Sequence, residues 1–414
     1  MSLLKNASYF TIGGILNKVI PFFILPAITH LLTPEEFGIF SMFEVAVVTL
    51  LPFILVQQNG AIGVNYYKLN FEQNGQYISS VLIIPFTMFL VSILLILLFS
   101  HSISSMLSIP EEWLVFIPTV SFFQSLFLIN NTTLIFRKKP IQYLYLEIGR
   151  TILFYGGGLI ALYFFSNSWK GLGGFMTLAY GVFGLIAFIQ LIKFYKLKPR
   201  LNAQYLKDGL LYGGPLIIHV FSQSVIDLSD RYFITEMIGV EYAGIYTIAY
   251  RFGMINFFLF KFFQQAWNPY VFEILEGNKS KEKKGLVKKL IIIIVGIACL
   301  AAIVAIIAPF YVRFFLDSSY QLAISVIPWI CSAYAFRSIY GVLSVFLFHK
   351  KKTVTLSILT FTNAIINLVL NYYLIGLYGF VGAAIATLIT FILSSTILLL
   401  LLLKMYGSPL NKLK

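Results

Sequence analysis

Charged residues are scarce in this 414-residue chain: Asp, Glu, Lys and Arg together supply 11% of it, while 59% is hydrophobic. Soluble domains carry about a quarter charged residues, so water is excluded as the main solvent. Cysteine is nearly missing too. Cys299 and Cys331 both lie inside apolar runs, which argues against a disulfide framework or a metal cluster. No G-x-x-x-x-G-K-[ST] loop occurs, so ATP hydrolysis is not expected. Lys5 is followed by an apolar run of about 25 residues, longer than the roughly 7 to 15 of a signal-peptide core, and no small-x-small cleavage site follows. That run is expected to stay as a first membrane span.

What is present is a succession of apolar runs, each near the roughly 20 residues that cross a bilayer core. Spans are predicted at about 7-30, 38-59, 78-100, 114-136, 141-165, 172-194, 209-232, 243-268, 286-310, 322-347, 354-375 and 380-403. The expected fold is therefore an all-α polytopic membrane protein of about twelve transmembrane helices. Net charge is +14, but placement accounts for it better than nucleic-acid binding does. One set of breaks holds Lys68, Arg137 to Lys139, Lys193 to Lys207, the lysines of 278-289 and Lys350 to Lys352. The opposite set has Lys170 and Arg313 beside Glu35, Glu36, Glu111, Glu112, Glu236, Glu241 and Asp317. The positive-inside rule then predicts that both termini are cytoplasmic.

Pro34-Glu35-Glu36-Phe37-Gly38-Ile39-Phe40 can be laid over Val240-Glu241-Tyr242-Ala243-Gly244-Ile245-Tyr246, 206 residues later, and Gly171-Leu172-Gly173-Gly174 over Gly379-Phe380-Val381-Gly382, 208 later. The two offsets agree and are about half the chain. They predict two pseudo-symmetric six-helix lobes, 1-200 with spans 1-6 and 201-414 with spans 7-12, around a central cavity, an arrangement associated with transport.

The first span broken by Pro21 and Pro26, the turn Leu31-Leu32-Thr33-Pro34-Glu35-Glu36-Phe37-Gly38, Leu228-Ser229-Asp230-Arg231 in span seven and Tyr378-Gly379-Phe380-Val381-Gly382-Ala383-Ala384 opening span twelve resemble the polysaccharide flippases of the multidrug/oligosaccharidyl-lipid/polysaccharide exporter superfamily. The resemblance runs over essentially the whole chain and is nearest to Wzx-type flippases. It implies translocation of an undecaprenyl-pyrophosphate-linked repeat unit from the inner to the outer leaflet of the bacterial cytoplasmic membrane, beside a polysaccharide polymerase and a chain-length regulator. It departs from the family at Asn65, where a basic residue often precedes the paired aromatics that here are Tyr66-Tyr67.

Basic residues inside spans are costly, by roughly 2.5 to 3.5 kcal/mol on insertion scales, and usually face a partner or a wet cavity. Lys18, Arg150, Arg251, Lys261 and Arg337 are the candidates for binding an anionic substrate. Arg matches phosphate oxygens bidentately and Lys offers a movable charge. Each has a plainer reading. Arg150 has Glu147 three residues earlier as an ion-pair partner, and Lys261 can snorkel to the cytoplasmic face. Asp227 and Arg231, four apart, share a helical face with Asp230 between them. They form either a structural pair or, together with Glu44, the carboxylates that take a coupling H⁺ or Na⁺.

The expectation is a flippase for an anionic lipid-linked oligosaccharide, with membrane lipid around it, no nucleic-acid partner, no cofactor beyond a coupling ion and no enzymatic activity. Two alternatives stand beside it. An ion-coupled multidrug exporter of the same superfamily would favour an acidic cavity. A membrane polymerase or glycosyltransferase would need larger external loops than the breaks provide.

Overall fold

A computed structural model describes residues 20-164, 168-197, 201-276, 280-350 and 352-406. Among them every regular element is helical. In a bilayer a helix satisfies its own backbone hydrogen bonds, which is what a chain this apolar requires.

The chain opens with α1 (Ile20–Leu31) and continues into α2 (Pro34–Leu55). Thr33 caps α2 by accepting from the Glu36 N–H, and Pro34 occupies the first turn, where its missing N–H costs nothing. A short α3 (Gln58–Asn65) leads to α4 (Phe71–Val81) and α5 (Ile83–Leu98), which together make the third span. Then come the short α6 (Ser100–Leu107) and α7 (Glu111–Leu114), followed by α8 (Phe116–Phe136). The fifth span is α9 (Pro140–Thr151), one π-turn (Ile152–Gly156) and α10 (Gly157–Phe164), and the sixth is α11 (Trp169–Tyr195). The remaining helices are α12 (Ala203–Met237), α13 (Val240–Glu276), α14 (Ser280–Phe315), α15 (Ile327–His349), α16 (Thr353–Tyr378) and α17 (Phe380–Tyr406).

Ten of these segments are long and apolar enough to cross a membrane. Adding α1, whose preceding residues lie outside the described ones, and the interrupted fifth span gives the expected count of about twelve. Helices α12 to α14 are longer than predicted, at 35, 37 and 36 residues. At 1.5 Å per residue each measures roughly 53 Å, well beyond the hydrocarbon core. Their polar extensions, such as Ala203 to Asp208, carry no hydropathy signal but remain helical. Pro215 sits within the continuous α12.

Two compact units are formed, Met1–Ser224 and Val225–Lys414. The division falls inside α12, whose first half packs with the N-terminal unit. In each unit the repeated segments open corresponding helices, α2 and α11 in the first, α13 and α17 in the second.

The N-terminal unit has a core of Ile54, Ile62, Tyr77, Ile78, Leu126 and Ile129. At the end of α2 the backbone turns through Val56 and Gln57, both left-handed at φ 46° and 51°. A β-branched residue rarely adopts this conformation, and the turn is held from the far side. Gln58 Nε2 donates to Val56 O (2.8 Å) and to Gly209 O of α12 (3.1 Å). Gly213 comes so near that a Cβ there would lie 1.9 Å from the Val56 carbonyl oxygen. One turn away, Asp208 accepts from Asn65 Nδ2 (2.9 Å) and the Tyr77 hydroxyl (2.8 Å). In the C-terminal unit α13 crosses α15 closely at Gly253, where a Cβ would meet Ile330 at 2.2 Å. The cores there gather Phe260, Trp267, Val342 and Leu398, and separately Ile226, Ala333 and Phe391.

Candidate functional site

The C-terminal unit concentrates charge inside its spans. Asp227, Asp230 and Arg231 come from α12, Lys261 from α13 and Arg337 from α15. The Arg337 guanidinium makes a two-pronged bond to Asp227, Nη1 to Oδ1 and Nη2 to Oδ2, the latter at 2.9 Å. Their side chains are 12% and 27% exposed. Three rings surround the guanidinium, Phe257 at 4.1 Å and Tyr334 and Phe391 each at 5.4 Å. Lys261 faces the same Phe257 ring at 5.2 Å, so two cations share one aromatic surface.

Behind this pair lies a fully buried one. Asp230 takes a 2.6 Å hydrogen bond from the Tyr246 hydroxyl and a 2.8 Å bond from the Arg231 N–H. Its Oδ1 lies 3.7 Å from Arg231 Nη1. Arg231 also donates to Thr247 Oγ1 (3.1 Å) and to the Asp227 carbonyl (3.0 Å), with Tyr250 stacked 3.9 Å from its Cζ. The spacing of Asp227 and Arg231 suggests a mutual ion pair, but the side chains divide differently. The Asp227 carboxylate turns to Arg337, and Arg231 reaches only the Asp227 backbone. Thr247 and Asp230 draw the Arg231 guanidinium toward α13, which leaves the carboxylate for α15.

A polar ladder continues from Ser229 into α16 and α17. Ser229 Oγ donates to Asn367 Oδ1 (3.2 Å), Asn371 Nδ2 donates to Asn367 Oδ1 (3.1 Å), and Asn367 Nδ2 donates to Thr390 Oγ1 (3.4 Å). Sequence reading did not single out these residues. Asparagines four apart in an apolar run, such as Asn363, Asn367 and Asn371, were the available signal. Arg251 sits half-buried on α13. Between α13 and α14, Asn256, Phe260, Phe263, Ile293 and Gly296 line a largely apolar cleft of about 230 Å³.

The N-terminal unit has a smaller cluster. Arg150 Nη2 donates to Glu147 Oε2 (3.2 Å), with both side chains nearly buried, and Nη1 donates to the Tyr180 hydroxyl (3.3 Å). Asn131 Nδ2 donates to the other Glu147 oxygen (2.8 Å). Glu44, on α2, is within electrostatic reach of Tyr180. The π-turn begins one residue after Thr151, whose hydroxyl accepts from Arg150 at 3.3 Å. Lys18 lies outside the described residues. Among the candidates, the structure joins Asp227 with Arg337 and places Lys261 beside them. Arg150 has Glu147 as its partner. Among the described residues no group of three or more His, Cys, Asp or Glu is arranged to hold a metal ion.

Solved structures share this architecture. Lipid II flippase MurJ in an inward closed conformation aligns with a TM-score of 0.73 at 17% identity, over 95% of this chain and 87% of that one. An inward-facing multidrug resistance MATE family transporter of the MOP superfamily aligns with a TM-score of 0.73 at 15% identity, over 95% and 96%. The fold is thus the multi-pass helical one that these two proteins share. Residues 3–275 match the family model described as polysaccharide biosynthesis protein, well over half of the chain. The protein belongs to that family. Residues 215–373 also match the MatE model, and Lsg locus putative protein 1 of Haemophilus influenzae is 22% identical over 291 residues, 67% of this chain and 68% of that protein.

Proposed function

We propose that the protein is a flippase that moves an undecaprenyl-pyrophosphate-linked oligosaccharide from the inner to the outer leaflet of the bacterial cytoplasmic membrane, with both termini cytoplasmic. The observation that carries this reading is the charge balance of the C-terminal cluster. Arg231, Arg337 and Lys261 stand against Asp227 and Asp230, an excess of positive charge inside membrane spans that favours an anionic cargo. The polysaccharide-biosynthesis family match and the flippase among the structural relatives support the same reading.

Lys261 is the cation of the set that lacks a carboxylate partner among the described residues. It is exposed and rests on Phe257. Arg337 is held by Asp227, and a pyrophosphate competes with that carboxylate for the same fork of N–H donors. A carboxylate released in this way takes up H⁺ or Na⁺, which makes Asp227, Asp230 and Glu44 the coupling candidates and Lys18, Arg150 and Arg251 further stations for the anion. A polysaccharide polymerase and a chain-length regulator are the partners the family resemblance suggests for this role.

The MatE match favours a second reading, ion-coupled export of organic cations. One experiment separates the two. A fluorescent polyprenyl-pyrophosphate oligosaccharide is followed in proteoliposomes with the parent protein and with Lys261→Ala. Flipping by the parent and its loss in the correctly folded variant support the flippase. A parent that flips nothing but exports organic cations under a proton gradient replaces it with the exporter.

A further inference from the structure

Three segments of the N-terminal unit converge on a second basic cluster, away from the charges inside the spans. They are the α3–α4 link at Tyr66 to Asn70, the end of α8 at Phe136 to Lys139, and the end of α11 at Lys193 to Lys196. Aromatic side chains tie them together. Phe136 meets Tyr66 at 5.3 Å and Tyr67 at 5.6 Å, and Phe71 meets Phe194 at 5.4 Å and Tyr195 at 5.7 Å. The Tyr67 hydroxyl donates to Phe136 O at 3.0 Å. Asn74 Nδ2 fixes the link by donating to Tyr66 O and Leu69 O, both at 2.9 Å.

These segments carry Lys68, Arg137, Lys138, Lys139, Lys193 and Lys196 and no carboxylate, the nearest in sequence being Glu72, two residues past the first segment. Arg137 is the fixed member. Its Cζ lies 3.3 Å from the Phe194 ring centroid, so one guanidinium face is covered. Its Nε is buried with no hydrogen-bond partner, and no carboxylate pairs with it among the described residues. Burial pushes its pKa below the ordinary guanidinium range. A guanidinium held by its face and lacking an acceptor is prepared for phosphate oxygens.

The cluster also adjoins exposed apolar surface. Ile135, Ile141, Ile192 and Phe194 are exposed apolar side chains interleaved with the cations, and Tyr67 is 71% exposed. Amphipathic aromatics at this depth mark the headgroup level of a bilayer, and basic pockets between transmembrane helices on the cytoplasmic side bind anionic headgroups.

We propose that Arg137, Lys138 and Lys139, over the Phe194 and Phe136 rings, bind the phosphate headgroup of an anionic phospholipid of the cytoplasmic leaflet, with its chains along Ile135 and Ile192. A lipid, not a soluble phosphate, is the ligand because the apolar surface adjoins the cations directly. The assignment is independent of what the protein transports.

The test is native mass spectrometry of the full chain in detergent with phosphatidylglycerol and phosphatidylcholine. Each surface cation removed lowers affinity for an anionic headgroup by about fivefold. Arg137→Gln is therefore expected to bind phosphatidylglycerol about fivefold more weakly and the double variant Lys138→Gln/Lys139→Gln roughly twenty-fivefold. Lys170→Gln, at the other end of α11 and paired with Glu112 at 3.4 Å, should bind like the parent. Lys138 and Lys139 are exposed, so their variant carries the test if Arg137→Gln fails to fold. The proposal falls if the parent binds the two lipids equally, or if the Lys170 variant loses as much as the others. It also falls if inorganic phosphate displaces the lipid at equal concentration, or if a polyprenyl pyrophosphate is held there in preference to phosphatidylglycerol.

Discussion

Replacing Arg337 with Met removes one partner of a two-pronged pair whose side chains are 12% and 27% exposed. Breaking a buried pair from one side costs about 3 to 5 kcal/mol, because the remaining charge has lost its compensation. Asp227 keeps some contact with solvent and still has the positive field of Lys261, so the lower end, about 3 kcal/mol, is expected for Arg337→Met. Asp227→Leu strands the cation instead, but Phe257, Tyr334 and Phe391 still face it. Cation–π attraction of roughly 1 to 2 kcal/mol offsets part of that loss, leaving about 2 to 3 kcal/mol. The double variant Asp227→Leu/Arg337→Met fills the site with apolar atoms and is expected within about 1 kcal/mol of the parent. The singles and the double together define a coupling of several kcal/mol, to be read from reversible unfolding in bicelles. Singles that each cost under about 1 kcal/mol, with no coupling, would falsify the claim that the pair is desolvated. The double variant also separates stability from transport. A folded double variant that flips substrate at the parental rate removes Arg337 from the proposed anion path.

The close approach at Gly213 supports a second expectation. Gly213→Ala places a Cβ within 1.9 Å of the Val56 carbonyl oxygen, so α12 must shift, and a loss of about 2 to 3 kcal/mol is expected in the same unfolding measurement. Asn256 is 2% exposed and neither of its side-chain polar atoms finds a hydrogen-bond partner among the described residues. Asn256→Leu removes that unsatisfied carboxamide and should leave stability unchanged or raise it by about 1 kcal/mol. A clear loss would show that the carboxamide does have a partner in the bilayer.

Hydropathy made the span count legible, because the bilayer demands roughly the same apolar length from every helix. The ion pair of Arg150 with Glu147 was equally accessible, since three residues on a helix is a local spacing. The pairing of Asp227 with Arg337 was not. The two are 110 residues apart, and local spacing pointed to Arg231, four residues from Asp227. The competing contacts of Arg231 with Thr247 and with its neighbour Asp230 divert it, and the first of them exists only because α12 packs on α13. The lengths of α12, α13 and α14 were hidden for another reason, since a polar helix outside the membrane leaves no mark on hydropathy. The left-handed pair Val56-Gln57 gave no warning either. Neither residue type favours that conformation, and the glycine that permits it lies on a different helix.

The π-turn at Ile152–Gly156 amounts to one extra residue accommodated in an otherwise α-helical span. Wound as plain α-helix, the same residues would carry everything from Gly157 to Phe164 roughly 100° further round and about 1.5 Å further along relative to Arg150. A chain shortened by one residue here would close the turn to plain α-helix, still cross the membrane with every backbone bond satisfied, and keep the same stripe of side chains on the C-terminal half of the span. The π-turn therefore lets this span change length by one residue while the far half of the helix keeps its facing and the buried ion pair on the other half stays where it is.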